Sequence, residues 1–471
     1  MADLKLRSIA VLGAGATGLA AAHRLARLGH AVRVFEASSR VGGAIHTERT
    51  DGWLVEAGPN SLLSGEPALP PLLDELGLAP ARLAANPAAK KRFIVRRGRL
   101  VAAPLSPPGL ITSPLFSPLG KLAILSELFT RPRVRTTDVS LDEFVASHFG
   151  REFTDYALNP FVSGVYAGKP EKLSARHSFP KLWEMERLRG SLIRGSIAAA
   201  KARRARGESR HEIFSFQHGL QTLIEALAGR LPAGTLAFNA TLDAIVPASD
   251  SAPPLPDPAQ ARRWSVVWHD ADGTAHTESF DAIVSALPAP ALAQLRLGPH
   301  GERPLAGLAA MEHPPVSSLF LGFRREQISH PLDGFGALVP ALEKRSVLGI
   351  LFSSSLFPGR APEGHAALTV MVGGARQPEL AALPTDKLIA AVRRDLTELV
   401  GVSGEPVFVR HHFWPRAIPQ YNLGHEQHLA VITAAERAHP GLFIGGQCRD
   451  GISVPACLAA GENLAARLAA G

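Results

Sequence analysis

Residues 8–36, SIAVLGAGATGLAAAHRLARLGHAVRVFE, decide the fold. Ser8 to Leu12 is a short apolar run, close-set glycines follow, residues 19–28 repeat apolar side chains at helical spacing up to Gly29, and Ala31 to Phe35 is again strand-like. Strand, glycine turn, helix and strand make one βαβ unit, with Gly13-Ala14-Gly15-Ala16-Thr17-Gly18 as GxGxxG at its first turn. Gly13 permits the tight turn, Gly15 lets the backbone approach a pyrophosphate at the helix N-terminus, and Gly18 lets helix and strand pack closely. Glu36, about 20 residues on and followed by Ala37, can accept hydrogen bonds from ribose hydroxyls. The unit therefore predicts an α/β, Rossmann-type domain that binds a dinucleotide.

The rest of the chain bounds the answer. With 471 residues, two or three structural units are expected, and 46% hydrophobic with 20% charged residues is ordinary for a globular protein. Cys448 and Cys457 are the two cysteines, so neither a disulfide framework nor a CxxC zinc pattern exists, and a reducing compartment fits. The opening MADLKLRSIAVLGAGATGLA mimics a signal peptide, but the fingerprint glycines break its apolar run; we read it as a strand of an unexported, cytoplasmic protein. No apolar stretch reaches the length of about 18 residues that a spanning helix needs. A net charge of +8 suits an anionic surface, either nucleic acid or acidic headgroups. No aromatic-studded RNA motif or helix-turn-helix signature accompanies it, so nucleic acid is not expected as a partner. His411 and His412, adjacent on a strand, point to opposite faces and read as structural, and no metal site is expected. HExxH, P-loop and nucleophile-elbow patterns are absent.

Arg40-Val41-Gly42-Gly43-Ala44, following Glu36, resembles the glycine doublet of the flavoprotein group that holds amine oxidases, phytoene desaturases and protoporphyrinogen oxidases. Three further segments are similar to that group in the same order. They are EAGPNS (56–61) with Gly58, Pro59, Asn60 and Ser61, then DAIVSALP (281–288), then GGQCRDGISVPACLAAGENL (445–464) with Ile452, Ser453 and Val454. Gly219-Leu220 in FSFQHGLQTLIEAL is similar to the start of a late helix of the same domain. The resemblance implies non-covalent FAD, with Gly42, Gly43, Ala44, residues 58–61, Trp414 and residues 452–454 as cofactor contacts beside Gly13, Gly15, Ala16, Thr17, Gly18, Glu36 and Ala37. Ala44 stands where many members carry Arg, Gln447 where Asn is usual and Ala456 where Asp is usual. Cys448 occupies a variable position of the final loop and is not expected to bond the flavin.

Within the group, NPFVSGVYAG (159–168) followed by EKLSA, GFGALVP (334–340), VMVGGARQP (370–378) and WPRAIPQYNLGH (414–425) resemble the oxygen-dependent protoporphyrinogen oxidases. A porphyrinogen is a large apolar macrocycle with propionates, so its site needs wide hydrophobic walls and few cations. The resemblance places Arg92 on a propionate, Phe335 and Leu338 around a pyrrole, Met371 as a further wall and Gly164 as a close backbone approach. For these the plain alternatives are a solvated basic turn, core packing and a turn glycine. The implied chemistry is three hydride transfers from bridging carbons to the flavin, with dioxygen as oxidant, hydrogen peroxide released and no catalytic side chain nominated. Oxidation of coproporphyrinogen III, with four propionates, is the alternative substrate reading; a non-catalytic flavoprotein that carries porphyrin is the alternative of another class. An amine oxidase would need an aromatic cage, and the chain has three tyrosines.

The expected organisation is an FAD-binding domain in three pieces (1–89, 207–289, 406–471), a mixed α+β substrate domain in two (90–104, 290–405) and an inserted helical domain (105–206). β-type alternation is expected at 264–268 and 279–287 around the turn pair Asp272-Gly273, and a Pro/Asp-rich loop at 252–258. The helical insert, basic toward Arg206, resembles the family's membrane-associating domain and implies peripheral contact with the cytoplasmic face of a membrane. A solvated helix face or a cover over the active site reads equally well. Family members are often dimers, which makes a homodimer one implied assembly.

Overall fold

The computed structural model describes residues 6–207, 211–247, 264–298 and 300–470; the loop read at 252–258 lies outside them. Five parallel strands form the first sheet, in the order Leu236–Ala237, Ala31–Phe35, Ser8–Leu12, Ala282–Ser285 and Leu442–Ile444. Alternation along Ser8–Leu12 shows why the strand is apolar throughout. Ile9 and Val11 enter one core with Leu19 and Leu25 of the helix Ala16–Arg27 and with Leu464 and Leu468 of the helix Val454–Ala470. Ala10 and Leu12 enter the opposite core with Trp264, Val266 and Phe280. A parallel strand covered on both faces has no polar side.

The second sheet has seven strands, in the order Phe408–Trp414, Val316–Arg324, His365–Gly373, Val347–Leu351, Gly334–Leu338, Lys91–Arg96 and Arg99–Ala102. Neighbours run antiparallel except Gly334–Leu338 beside Lys91–Arg96, which pair in parallel. One face is sealed by the helix Thr385–Val400, whose Leu388, Val392, Leu396 and Leu399 meet Leu319, Leu321, Val370 and Val372. The repeat of those four residues marks one helical stripe. The other face turns toward the cofactor-binding half of the molecule.

Between Pro107 and Ala205 the described residues build helices and their connections, including π-helical turns at Thr154–Leu158 and Val162–Tyr166. A buried charge network ties these helices together. Glu127 accepts from Ser191 Oγ (2.7 Å) and from the Leu192 and Ile193 backbone N–H groups, capping the helix Leu192–Ala205. His148 lies between Glu127 (3.0 Å) and Glu186 (3.3 Å), and Arg135 holds Glu186 at 2.8 Å. Removing one member of such a group strands a buried charge, at a cost of roughly 3–5 kcal/mol. Outside, Ile111, Leu119, Leu122, Phe129, Leu188 and Ile197 are exposed apolar side chains.

Two boundaries differ from expectation. The first helix begins at Ala16, at the third fingerprint glycine's own turn, and not at Leu19. The second strand of the expected hairpin begins at Ala275; residues 279–287 span the end of that edge strand and the separate parallel strand Ala282–Ser285. Ala275–Phe280 alternates exposed and half-buried residues with only Phe280 buried, so polar side chains mask it. Among the described residues no helix is long and apolar enough to cross a membrane.

Candidate functional site

The fingerprint folds as its glycines dictate. Gly13 takes φ 95° and donates from its N–H to the Phe35 carbonyl at 2.8 Å. A Cβ on Gly18 would fall on the Gly13 carbonyl oxygen, whereas one on Gly15 would meet nothing within 4 Å. Gly18 is thus a packing glycine, and Gly15, at the N-cap of Ala16–Arg27, leaves the helix N-terminus open to an approaching group. Glu36 accepts from the Ala14 N–H (2.8 Å) and, through its other oxygen, from Ser38 Oγ (2.8 Å), which fixes its carboxylate at the end of Ala31–Phe35 with Ala37 exposed beside it.

The glycine doublet closes over this turn. Gly42 and Gly43 take φ 111° and 57°, the Gly42 N–H donates to the Ala14 carbonyl at 2.8 Å, and Gly15 and Gly42 form a parallel bridge. Arg40 fixes the loop by donating to the Gly43 carbonyl at 2.7 Å and the Ile45 carbonyl at 3.0 Å. Gly58 packs so closely on the Ala44 carbonyl that no Cβ fits between them, and Asn60 Nδ2 donates to the Gly58 carbonyl at 3.0 Å. Trp414 Nε1 donates to the Ala57 carbonyl at 2.9 Å, pinning the end of the second sheet to residues 58–61. At the far end, Gly446 lies against Thr17, and the Gly461 position faces the Thr17 carbonyl with no room for a Cβ. Residues 452–454 therefore open the C-terminal helix beside the N-terminus of Ala16–Arg27, and Ser453 Oγ caps Ala456 at 3.2 Å. This is a cradle of backbone N–H groups, two helix N-termini and one fixed carboxylate, the donor set that a diphosphate and a ribose require. Its residues fit FAD.

The expected wall residues lie on the open face of the second sheet. Leu338 pairs with Gly349, Gly349 with Met371, Met371 with Ser318 and Ser318 with His412, so one row crosses five strands on a single face. Arg92 lies in the adjacent row opposite Gly336. Strand alternation alone would turn Phe335 to the sealed face, but the register slips between Gly334 and Gly336 and brings its ring under the Arg92 guanidinium at 5.2 Å. The Gly164 position has its nearest contact with the Leu338 side chain, joining the helical insert to this wall. Arg92, Phe335, Leu338, Met371 and Gly164 are thus brought together, and Arg92 has no carboxylate partner among the described residues.

Three features of the site are not among the residues the sequence assigns to it. Leu351 lies in the Arg92 row opposite Gly336, a position that apolar alternation around Gly349 signals. Glu56 is buried behind the strip, held by Thr47 Oγ1 at 2.7 Å and the Leu220 N–H at 2.8 Å, and its pKa is pushed up to about 7, chiefly by burial. It shares a small cavity with Asn60, Leu351 and the buried Arg360. His412 differs from its neighbour: His411 has both ring nitrogens engaged, by Ser317 Oγ (2.7 Å) and Thr385 Oγ1 (3.0 Å) on the sealed face, while His412 turns to the open face. Burial holds both cysteines as inert thiols, Cys448 pushed up to about 12 and Cys457 to about 11.

Residues 16–469 match the flavin-containing amine oxidoreductase profile. The chain is 35% identical over 478 residues to protoporphyrinogen oxidase 2, chloroplastic/mitochondrial, of Arabidopsis thaliana, covering 97% of this chain and 92% of that protein. It is 27% identical to the coproporphyrinogen III oxidase of Staphylococcus aureus across 97% of each. Among solved structures, a protein from Exiguobacterium sp. 255-15, provisionally given the protoporphyrinogen oxidase name, superimposes with a TM-score of 0.81 at 23% identity, covering 99% of both chains. Reduced UDP-galactopyranose mutase follows at 0.70 and 17%, covering 98% of this chain and 95% of the mutase, which is a likeness of fold.

Proposed function

The chain belongs to the flavin-containing amine oxidoreductase family, in its protoporphyrinogen oxidase branch, and we propose that it oxidises protoporphyrinogen IX to protoporphyrin IX with dioxygen, releasing hydrogen peroxide. It is an FAD-dependent enzyme of porphyrin biosynthesis acting on a porphyrinogen. We assign Gly13, Gly15, Ala16, Thr17, Gly18, Gly42 and Gly43 to the diphosphate and its surroundings, and Glu36 with Ala37 to the ribose. Ala44, residues 58–61, Trp414 and residues 452–454 are assigned to the flavin. When bound, the flavin supplies a two-electron acceptor for hydride from the carbons that bridge the pyrroles.

The protein's own share is to bind and orient. Leu338, Met371 and Phe335 give the macrocycle an apolar bed, Gly164 lets it approach the backbone, and Arg92 takes a propionate in bidentate fashion. The unpaired Arg92 stacked on Phe335 at the edge of that bed is the observation that carries the reading. The neighbouring Lys91 is paired with Asp333, and Arg410 on the row's far side with Glu48, which limits free cations and favours a dicarboxylate over a tetracarboxylate. The full-length likeness to a coproporphyrinogen III oxidase favours the second reading, coproporphyrinogen III as substrate.

We assign 1–89, 207–289 and 406–471 to the FAD domain, 90–104 and 290–405 to the substrate domain and 105–206 to the insert; the origin of the parallel strands on both sides of the insert supports this. The exposed apolar side chains of the insert support peripheral membrane contact on the cytoplasmic side. A homodimer would use the same property, and chromatography with and without anionic vesicles separates the two. The main test is aerobic turnover of the purified yellow protein on both porphyrinogens, followed by porphyrin fluorescence. Preference for protoporphyrinogen supports the proposal, preference for coproporphyrinogen moves it to the second reading, and bound FAD without turnover on either leaves a porphyrin carrier.

A further inference from the structure

We propose that His412, with His46 beside it, accepts the proton that the macrocycle loses in each oxidation round, an inference that rests on the porphyrinogen reading above. The row Leu338, Gly349, Met371, Ser318, His412 puts His412 on the same face as the apolar bed. Its ring packs on Trp414, with centroids 4.3 Å apart, and Trp414 is bonded to Ala57 and touches the Gly58 position. His46 reaches the same place from the cofactor side: it follows Ala44 and Ile45, and its ring meets His412 edge-on at 6.3 Å. The two imidazoles thus lie where the cofactor strip meets the wall.

Neither imidazole has a hydrogen bond among the described residues, in contrast to the fully engaged His411. Both are half-buried, so their nitrogens are available to a group that enters between wall and strip. Burial, then the nearby Arg40, lowers the His46 pKa; burial, then His46, Arg40 and His411, lowers that of His412. The other charged groups around them are Glu48 and Arg410, which are paired with each other, while Ser318 and Trp414 are neutral. Both rings are therefore neutral near pH 7 and able to accept a proton.

The step balances without a further reactant. The C–H bond of a bridging carbon breaks with its electron pair leaving as hydride to the flavin; in two of the three rounds a pyrrole N–H bond, and in the third a C–H bond of the last bridging methylene, breaks with its proton going to an imidazole nitrogen. The macrocycle gains one double bond and loses two electrons and two hydrogens. The imidazole then returns its proton to water before the next round.

The test uses the FAD-loaded protein with ¹³C-labelled histidine. The His412 resonance, identified by its loss in His412→Gln, should titrate below pH 6.5 and shift when protoporphyrin IX is added. His412→Gln should retain its FAD, slow anaerobic flavin bleaching by protoporphyrinogen about 100-fold, lose the acid limb of the pH profile and leave KM within about threefold. His46→Gln should keep that limb and move its midpoint upward. An unmoved His412 resonance together with a wild-type profile in His412→Gln overturns the assignment. If His412→Gln does not hold FAD, the wild-type resonance decides alone. Absence of wild-type turnover would strike the porphyrinogen reading, which the His412→Gln profile does not address.

Discussion

The cofactor cradle and the substrate wall are made by opposite means. In the cradle the chain offers backbone: Gly18, Gly42 and Gly58 allow approaches that any side chain would block, and Gly13 takes a positive φ that side chains disfavour. In the wall it offers side chains, gathered from strands far apart in sequence and levelled into one face by register. A backbone cradle fails abruptly when one Cβ is added, whereas a side-chain wall changes by degrees.

The largest break in that contrast is Gly18→Val, which drives a branched side chain into the Gly13 carbonyl. It should cost about 3 kcal/mol or more and abolish FAD retention, read from thermal unfolding and flavin absorbance of the purified protein. Glu56, between the two regions, gives the next largest effect. Its folded pKa of about 7 lies above the ordinary 4.5, so the stability due to its neutral form is complete below pH 4.5 and is lost as pH rises through 7. Glu56→Gln should therefore be more stable than wild type by up to about 3 kcal/mol at pH 8 and nearly equal at pH 4, by denaturant titration.

Smaller effects belong to the wall. Arg92→Ala should raise KM for protoporphyrinogen roughly tenfold with FAD content unchanged, since a charge-assisted hydrogen bond contributes about 1.5–3 kcal/mol. An unchanged KM removes Arg92 from the site. Gly164→Ala meets the flexible end of Leu338 and not backbone, so Leu338 can give way; KM should rise only a few-fold, within about 1 kcal/mol, and a 100-fold loss would mean that Gly164 is as unforgiving as Gly18.

The same contrast governs what can be read from the sequence. Ser8–Leu12, Ala31–Phe35 and the roles of Gly13 and Gly18 were legible because each depends on residues within one βαβ unit. Phe335 turns to the open face only because the register slips beside it, which no local pattern signals. His411 and His412 were rightly placed on opposite faces, but which face met the strip required the pairing of Ser318 with both Met371 and His412. The Glu127, His148, Glu186 and Arg135 network joins residues scattered over 60 positions of the insert, each of which reads alone as a solvated charge.

The most direct test of the account mixes FAD-loaded protein with protoporphyrinogen IX in the absence of dioxygen and follows flavin absorbance and porphyrin fluorescence together. The flavin is expected to bleach, with one fluorescent porphyrin formed for every three flavins reduced. Flavin that stays yellow in the presence of bound porphyrinogen would contradict it.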